Sequence, residues 1–490
     1  MKAFERALRE AGRDDVRIAV GSWKFEFLPG CDRFLPQHVK LIPLDWEVLH
    51  DLSQMRDAES RRVIREVGKH RPVLPVVWAH HDDGNYVGRP YTPHSDFHSR
   101  LVDSRASGFG IIHWTTRPLD LYFKSLAKQV WRTTEDQPLR ITCGEMAERS
   151  FGPGAGEKMA EYLRRWVTEA PKIGRDTSDR FIDRKLADSA DVVPGYNERM
   201  ELIDSAKRES KAVAQRDRLD YFKGLERYIT DVHLTEEAFR RSQELYKVGD
   251  LAAARRAMVS CRPEEVIERY ARTSSLSGIT RGEQGLVASM NLRWLTHYVR
   301  YRQMLGAEPV RYNFSPTSHD PLAQSMGTFT FHFGPEREVW ECFGAKETGA
   351  SMFAVPDDIR ISRDDTVPAA YEEICRNGIE SDKSVTITLR PIMATGGRGQ
   401  ANPGELPAGR YGIELLMLDP HSTGLGRRLF DVSVNGETER IDIFKQTGRA
   451  NRILVCAYPV VLERPGRLNV TLEPVKGKVL LCGAVLRPGR

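Results

Sequence analysis

Two pairs of carboxylates stand where apolar runs give way to polar residues: Asp45 and Glu47 in LIPLDWEVL, and Asp82 and Asp83 in PVVWAHHDDGN. Cleavage of a glycosidic bond typically uses two carboxyl groups flanking it, about 5–5.5 Å apart for retention and about 6.5–9.5 Å for inversion. In that chemistry Asp82 or Asp83 serves as base or nucleophile, and Asp45 or Glu47 as its partner. Each also has a plainer role. Glu47 begins a helical segment, where a carboxylate favours the positive end of the helix dipole, and Asp83 stands in DDGN, a turn sequence.

The neighbouring side chains suit a sugar. Trp23, Trp46, Trp78 and Trp114 recur at equivalent places in four successive segments. An indole offers a flat apolar surface to the C–H face of a sugar ring while polar groups bond its hydroxyls. Core packing competes for any single tryptophan; four in equivalent places point to a carbohydrate cleft, with Glu26 beside the first. Arg117 has the planar fork that grips a carboxylate such as that of a uronic acid, and its alternative is an ion pair with Asp120. His80, His81 and His113 offer hydrogen bonds to hydroxyls. Adjacent histidines on a strand point to opposite sides and do not chelate one ion, so the expectation is no catalytic metal and no cofactor.

The elements that must position these residues are legible. Apolar runs at residues 16–23, 39–47, 71–83 and 108–118 alternate with segments of helical pattern at 2–12, 47–69 and 95–106. Strands apolar at consecutive positions and alternating with helices read as parallel βα units. Four such units over residues 1–125 make the second half of a (β/α)8 barrel, a fold whose chemistry lies at the C-terminal ends of its strands. The chemistry-bearing residues follow those ends.

Residues 126–308 turn to Ala, Leu, Arg, Glu and Lys at helical spacing and read as an all-helical domain;. In its last long helix Arg293, Trp294 and His297 read as packing. Residues 309–490 consist of short alternating runs with Asn-Gly, Pro-Gly and Lys-Gly turns, which read as an antiparallel β-sandwich;. Asn435 and Gly436 form the strongest hairpin signal. Arg311, Tyr312, Asn313, His319 and Asp320, in RYNFSPTSHDP, read as a junction locking the helical and β regions together. The glycines of ATGGRGQ and STGLGRR do not follow a strand and open a helix as a phosphate loop must.

Composition excludes several classes. The 490 residues carry Lys+Arg 73 against Asp+Glu 68, a formal charge of +5 with no long basic block, so neither nucleic acid nor membrane is an expected partner;. The 7 cysteines are spread singly without a CxxC pair, unlike a zinc ribbon or a disulfide scaffold;. The N-terminal segment MKAFERALREAGRDD is charged and has no signal-peptide core, which reads as cytoplasmic for the chain as written, or exported if Met1 is an internal start. A half barrel leaves open strand edges. That predicts an internal start at Met1, a second copy pairing its half barrel, or another polypeptide supplying the missing N-terminal half.

Two resemblances accompany this reading. The stretch FDVSVNGETERIDIFKQTG through VLLCGAVLRP resembles the malectin-like jelly-roll domains attached to bacterial polysaccharide-degrading enzymes, through Asp431, Val432, Asn435, Gly436, Asp442, Ile443, Phe444, Gly483 and Val485. The segments RPVLPVVWAHHDDGNYVGRPYTP, GIIHWTTRPLDLYFKSLAKQVW and GITRGEQGLVASMNLRWLTHYV are similar to large bacterial glycoside hydrolases related to the α-glucuronidases, families 67 and 115. The resemblance implies a glycoside hydrolase, or the C-terminal part of one, acting on plant or algal polysaccharide or oligosaccharide, uronic-acid-containing substrates included. The alternative it leaves is a non-catalytic carbohydrate-binding protein or an inactive truncated remnant.

Overall fold

Each apolar run near the N-terminus forms a short strand: β1 (Ala19–Ser22), β2 (Lys40–Pro43), β3 (Val76–Trp78) and β4 (Gly110–Ile112). The computed structural model describes the chain apart from residues 1, 14, 23–24, 45–56, 79–86, 89–95, 113–119, 132–137, 170–171, 174–188, 277–286, 288–289, 315–323, 327–328, 334–337, 344–347, 395–400, 422 and 490. It divides into two compact units, Met1–Ser178 with Leu186–His233 and Val266–Ala288, and Asp179–Lys185 with Leu234–Glu265 and Ser289–Arg490.

In the first unit β1 pairs parallel with β2, and β3 parallel with β4. Parallel bridges Leu41↔Val73 and Leu44↔Val76 join the pairs, so the strands lie in chain order and share one direction. Parallel neighbours need a crossover. Helices α2 (Leu28–Phe34), α3 (Ala58–Val67) and α4 (Phe97–Ser104) lie between successive strands, α1 (Lys2–Glu10) precedes β1, and α5 (Asp120–Trp131) follows β4. Among the described residues these strands do not close into a barrel.

The alternation of strand side chains gives the array two faces. Leu41, Val73 and Val77 are buried against Leu28, Ile64, Val67, Phe97, Leu101 and Leu126 of the helices. The buried positions of α3 and α4 recur at helical spacing, Ser60, Ile64 and Val67 in one and Phe97, Leu101 and Ser104 in the other. On the opposite face Ile42, Leu44, Leu74 and Val76 are half-buried. Asp57 starts α3 by accepting from the Ser60 amide at 2.6 Å and its hydroxyl at 2.7 Å, an N-cap.

Arg71 ties the array together from inside. Its side chain is 0% exposed and donates to Asp32 Oδ1 at 2.8 Å and to the carbonyls of Asp32, Leu35, Pro36 and Val39 at 2.8, 2.9, 3.0 and 3.4 Å. These carbonyls close α2 and lead into β2, while Arg71 itself leads into β3. A guanidinium alone has enough fixed donors for this set.

The rest of the first unit is helical: α6 (Pro138–Thr168), broken at Gly152 (φ 77) ahead of Pro153, α7 (Ser189–Glu209), the first part of α8 (Val213–Lys247), and most of α10 (Pro263–Ser275), which follows α9 (Leu251–Met258). Buried Arg199 donates to both oxygens of Glu226 at 2.9 and 3.0 Å. Gly224 lets α8 approach α10 closely, since a Cβ there would meet Thr273 Cγ2 at 2.6 Å.

The second unit joins the end of α8, α9 and α11 (Thr296–Met304) to β-sheets. Its largest sheet runs Leu454–Leu462, Gly409–Met417, Gly483–Pro488, Val310–Asn313, Val339–Cys342, Phe329–Phe333 and Gln324–Met326. A four-stranded antiparallel sheet holds Val385–Leu389, Leu468–Lys476, Leu429–Val434 and Glu437–Ile441. A third holds Ser351–Ala354, Asn377–Ser381 and Val479–Leu481. One hydrophobic core takes residues from all three, including Val385, Val432, Val470, Ile379, Leu415 and Val485. The hairpin at Asn435 and Gly436 forms with φ of 49° and 88° and pairs Val434 with Glu437, as a two-residue turn requires.

Two sequence expectations need correction here. Arg311, Tyr312 and Asn313 are not a junction segment but part of an interior strand, antiparallel to Gly483–Pro488 and parallel to Val339–Cys342. That parallel pair also makes the largest sheet mixed rather than purely antiparallel. The strand is pinned by buried Tyr312, whose hydroxyl bonds the backbone of Arg390; His319 and Asp320 lie outside the described residues.

Candidate functional site

Because β1 to β4 are parallel, their C-terminal ends leave one edge of the array. The register sets Ser22 beside Pro43, Leu44 beside Val76 and Trp78 beside Ile112. From helix back to strand the chain uses residues 35–39, 68–75 and 105–109; from strand to helix it uses 23–27 after β1, 44–57 after β2, 79–96 after β3, within which Val87–Gly88 pairs antiparallel with Lys172–Ile173, and 113–119 after β4. Links of either kind typically need roughly two to six residues.

Asp45, Trp46, Glu47, His80, His81, Asp82, Asp83, His113, Trp114 and Arg117 fall in the links after β2, β3 and β4, and Trp23 and Glu26 in the link after β1. Glu26 is described: it is exposed in the turn Phe25–Phe27, whose Phe25 is buried in the core. Trp78 ends β3, paired with Ile112, and Asp120 is the first residue of α5, which packs into the core through Leu121 and Leu126. Trp23, Asp45, Trp46, Glu47, His80, His81, Asp82, Asp83, His113, Trp114 and Arg117 lie outside the described residues.

Several buried polar groups escaped sequence reasoning. Glu236, in the second unit, accepts from Trp294 Nε1 at 2.7 Å and from the Tyr298 hydroxyl at 2.5 Å. Burial pushes its carboxyl above the ordinary range despite both donors. Its position in the buried stripe of Val232, Glu236 and Phe239 was the available signal. Trp294, expected to pack, is buried and held by this bond. Its neighbours Met290–Leu295 form a π-helical turn, an insertion often kept for a purpose. Arg300 on α11 donates to both oxygens of Glu341 at 2.6 and 2.7 Å, with side chains 2% and 0% exposed.

A groove of about 480 Å³ lies between α8 and α9 in the second unit, with Leu234, Ala238, Leu245 and Ala253 along it and Arg241 and Arg256 at its sides. Glu237 is the one carboxylate among its lining residues, so it lacks the pair that glycoside hydrolysis uses. Among the described residues no group of three or more His, Cys, Asp or Glu is arranged to hold a metal ion, and no helix is long and apolar enough to cross a membrane.

No family profile and no curated protein sequence matches the chain. Solved structures share part of it. A β-glucuronidase of Bacteroides uniformis is 17% identical over 37% of this chain and 18% of its own, with a TM-score of 0.25. The ANXUR1 extracellular domain from Arabidopsis thaliana is 12% identical over 37% of this chain and 48% of its own, with a TM-score of 0.27. The plant peptide RALF23 complex with FER and LLG2 gives 14% identity over 36% of this chain and 47% of the matched chain, with a TM-score of 0.27. The chain thus spans less than a fifth of the glucuronidase and about half of the plant proteins.

Proposed function

We propose that the chain is a glycoside hydrolase, or the C-terminal part of one, cleaving O-glycosidic bonds in plant or algal polysaccharide, uronic-acid-bearing glycans included. On this reading residues 1–125 are the second half of a (β/α)8 barrel, 126–308 a helical domain and 309–490 a malectin-like jelly roll. Asp82 or Asp83 acts as base or nucleophile and Asp45 or Glu47 as its partner. The four tryptophans stack sugar rings, Glu26, His80, His81 and His113 bond hydroxyls, and Arg117, steadied by Asp120, grips a substrate carboxylate. The observation that supports the reading is the parallel order of β1 to β4, with most of the named residues following the C-terminal ends of these strands in sequence, the edge where such folds hold their chemistry.

The test is Asp82→Asn and Asp83→Asn, assayed by release of reducing ends from uronic-acid-bearing oligosaccharides and by cleavage of aryl glycosides. Loss of an essential acid–base group lowers the rate about 100-fold or more; rates unchanged in both variants refute the assignment. The open array, with Ile42, Leu44, Leu74 and Val76 half-buried on the face away from its helices, favours one other reading, glycan binding without turnover. Calorimetric binding of oligosaccharide with no product release selects it.

A further inference from the structure

We propose that Cys375 and Cys482 are a disulfide-forming pair, a covalent cross-link inside the β-sheet core made by exchange with a small-molecule disulfide. The two residues are 107 apart in sequence, and the Cys482 thiol lies 4.0 Å from the Cys375 carbonyl. The Cys482 side chain is close enough to add to the upward shift of the Cys375 thiol, and both residues are 0% exposed. Two of the four other buried thiols bond nearby carbonyls: Cys261 that of Thr235 at 3.6 Å and Cys342 that of Trp340 at 3.9 Å.

Their backbones are held in place. Cys375 ends the short helix Ala370–Ile374 and donates its amide to the Tyr371 carbonyl at 2.9 Å. Cys482 sits between Val479–Leu481 and Gly483–Pro488, donating to the Leu416 carbonyl and accepting from the Phe314 amide, both at 2.9 Å. The next residue is Gly483, where a Cβ would meet Ile374 Cγ2 at 2.7 Å. The glycine therefore permits the close approach that brings the two cysteines together.

The chemistry is two successive exchanges. One cysteine thiolate attacks the external disulfide and expels one thiolate, forming a mixed disulfide. The second cysteine thiolate attacks the protein sulfur of that mixed disulfide and expels the other. The protein loses two protons and two electrons, the external disulfide gains them as two thiols, and no other reactant is consumed. Burial pushes the Cys375 thiol well up and keeps it protonated once the core has closed, whereas the thiolate is the reactive form. The bond therefore forms as the chain folds and resists exchange afterwards.

The test refolds the denatured, reduced full-length chain in mixed oxidised and reduced glutathione, alkylates the remaining thiols and maps peptides by mass spectrometry. The expected product is one linked peptide pair containing Cys375 and Cys482, two hydrogens lighter than its parts and separated by dithiothreitol. Because the bond closes a long loop, the linked protein melts higher than the reduced protein by several degrees, and Cys482→Ala abolishes that redox-dependent difference. Separate alkylation of both cysteines after refolding, linkage to other cysteines, or a redox-dependent melting shift that persists in Cys482→Ala overturns the proposal. The peptide map of the unsubstituted chain decides the matter even where the variant does not fold.

Discussion

Replacing Arg71 by methionine keeps most of the aliphatic stem and removes the polar head, so its effect isolates the hydrogen bonds. The head serves Asp32 Oδ1 and four carbonyls at 2.8–3.4 Å. Bonds to neutral groups contribute about 1 kcal/mol each and those to charged groups about 1.5–3, while removing one partner of a buried ion pair costs about 3–5 kcal/mol. The Asp32 side chain is 18% exposed, so water recovers part of its charge, which places the loss near the lower end, about 3–4 kcal/mol. At roughly 2–4 °C per kcal/mol for a unit of this size, the transition that includes β1 to β4 falls by roughly 6–16 °C. Differential scanning calorimetry of the full chain, with Arg71→Lys beside Arg71→Met, reads this directly. Lysine keeps the charge but gathers its three donors on one nitrogen, which cannot span all the acceptors, so it falls between wild type and methionine. A methionine variant melting within about 2 °C of wild type, well inside the effect expected from a buried ion pair, refutes the tether.

Two further outcomes follow from buried groups. His297 Nε2 has no partner among the described residues, and burial, then the Arg300 charge, hold its imidazole down at about 3. The folded value lies below the unfolded one of about 6.5, so this contribution is complete above that pH and is lost as pH falls toward 3. The slope in that window is about 1.4 kcal/mol per pH unit; chemical denaturation of His297→Gln between pH 7 and 4 has a correspondingly shallower pH dependence, and an identical slope contradicts the assignment. Gly224→Ala sets a methyl against Thr273 Cγ2 and destabilises by about 1–3 kcal/mol through overpacking. Thr273→Ser in the same chain restores part of the loss, and equal melting temperatures for wild type and Gly224→Ala would falsify the close approach.

Local patterns were the legible part of the fold. Consecutive apolar positions alternating with helical segments announced β1 to β4 as parallel strands, because that alternation is written locally into each strand and the helix beside it. Asn435 and Gly436 announced their hairpin, because both central residues need positive φ and few residue types accept it. The misread Arg311–Asn313 segment shows the opposite case. Its strand partners, Val339–Cys342 and Gly483–Pro488, lie far along the sequence, and no short window contains that pairing. Arg71 was likewise silent, and Glu236 gave only its place in an apolar helical stripe, since a buried charge is recognised only once its partners are in place. For the candidate site, the sequence offered residue types and their recurrence after each strand; carboxylate separations belong to three dimensions and leave no trace in spacing.

The two resemblances differ in what they say about function. In the β-sheet unit the recognisable residues are occupied by the fold. Asp431 pairs with Arg440 across the hairpin at 2.8 and 3.0 Å, and Asn435 and Gly436 make its turn. Asp442 caps the helix Ile443–Thr447 through the Lys445 amide at 3.1 Å and bonds the Gly426 amide at 2.8 Å. Gly483 makes room for Ile374 and the Tyr312 carbonyl. Residues so committed report a fold and leave open what it binds. At the edge of the parallel array the balance is reversed. The links 44–57 and 79–96 after β2 and β3 are longer than any of the helix-to-strand links 35–39, 68–75 and 105–109;. Long connections on a scaffold are where binding and catalytic residues concentrate, and there the sequence places Asp45, Trp46, Glu47, His80, His81, Asp82 and Asp83. Substitutions in those links are accordingly the ones that test the proposed turnover against binding.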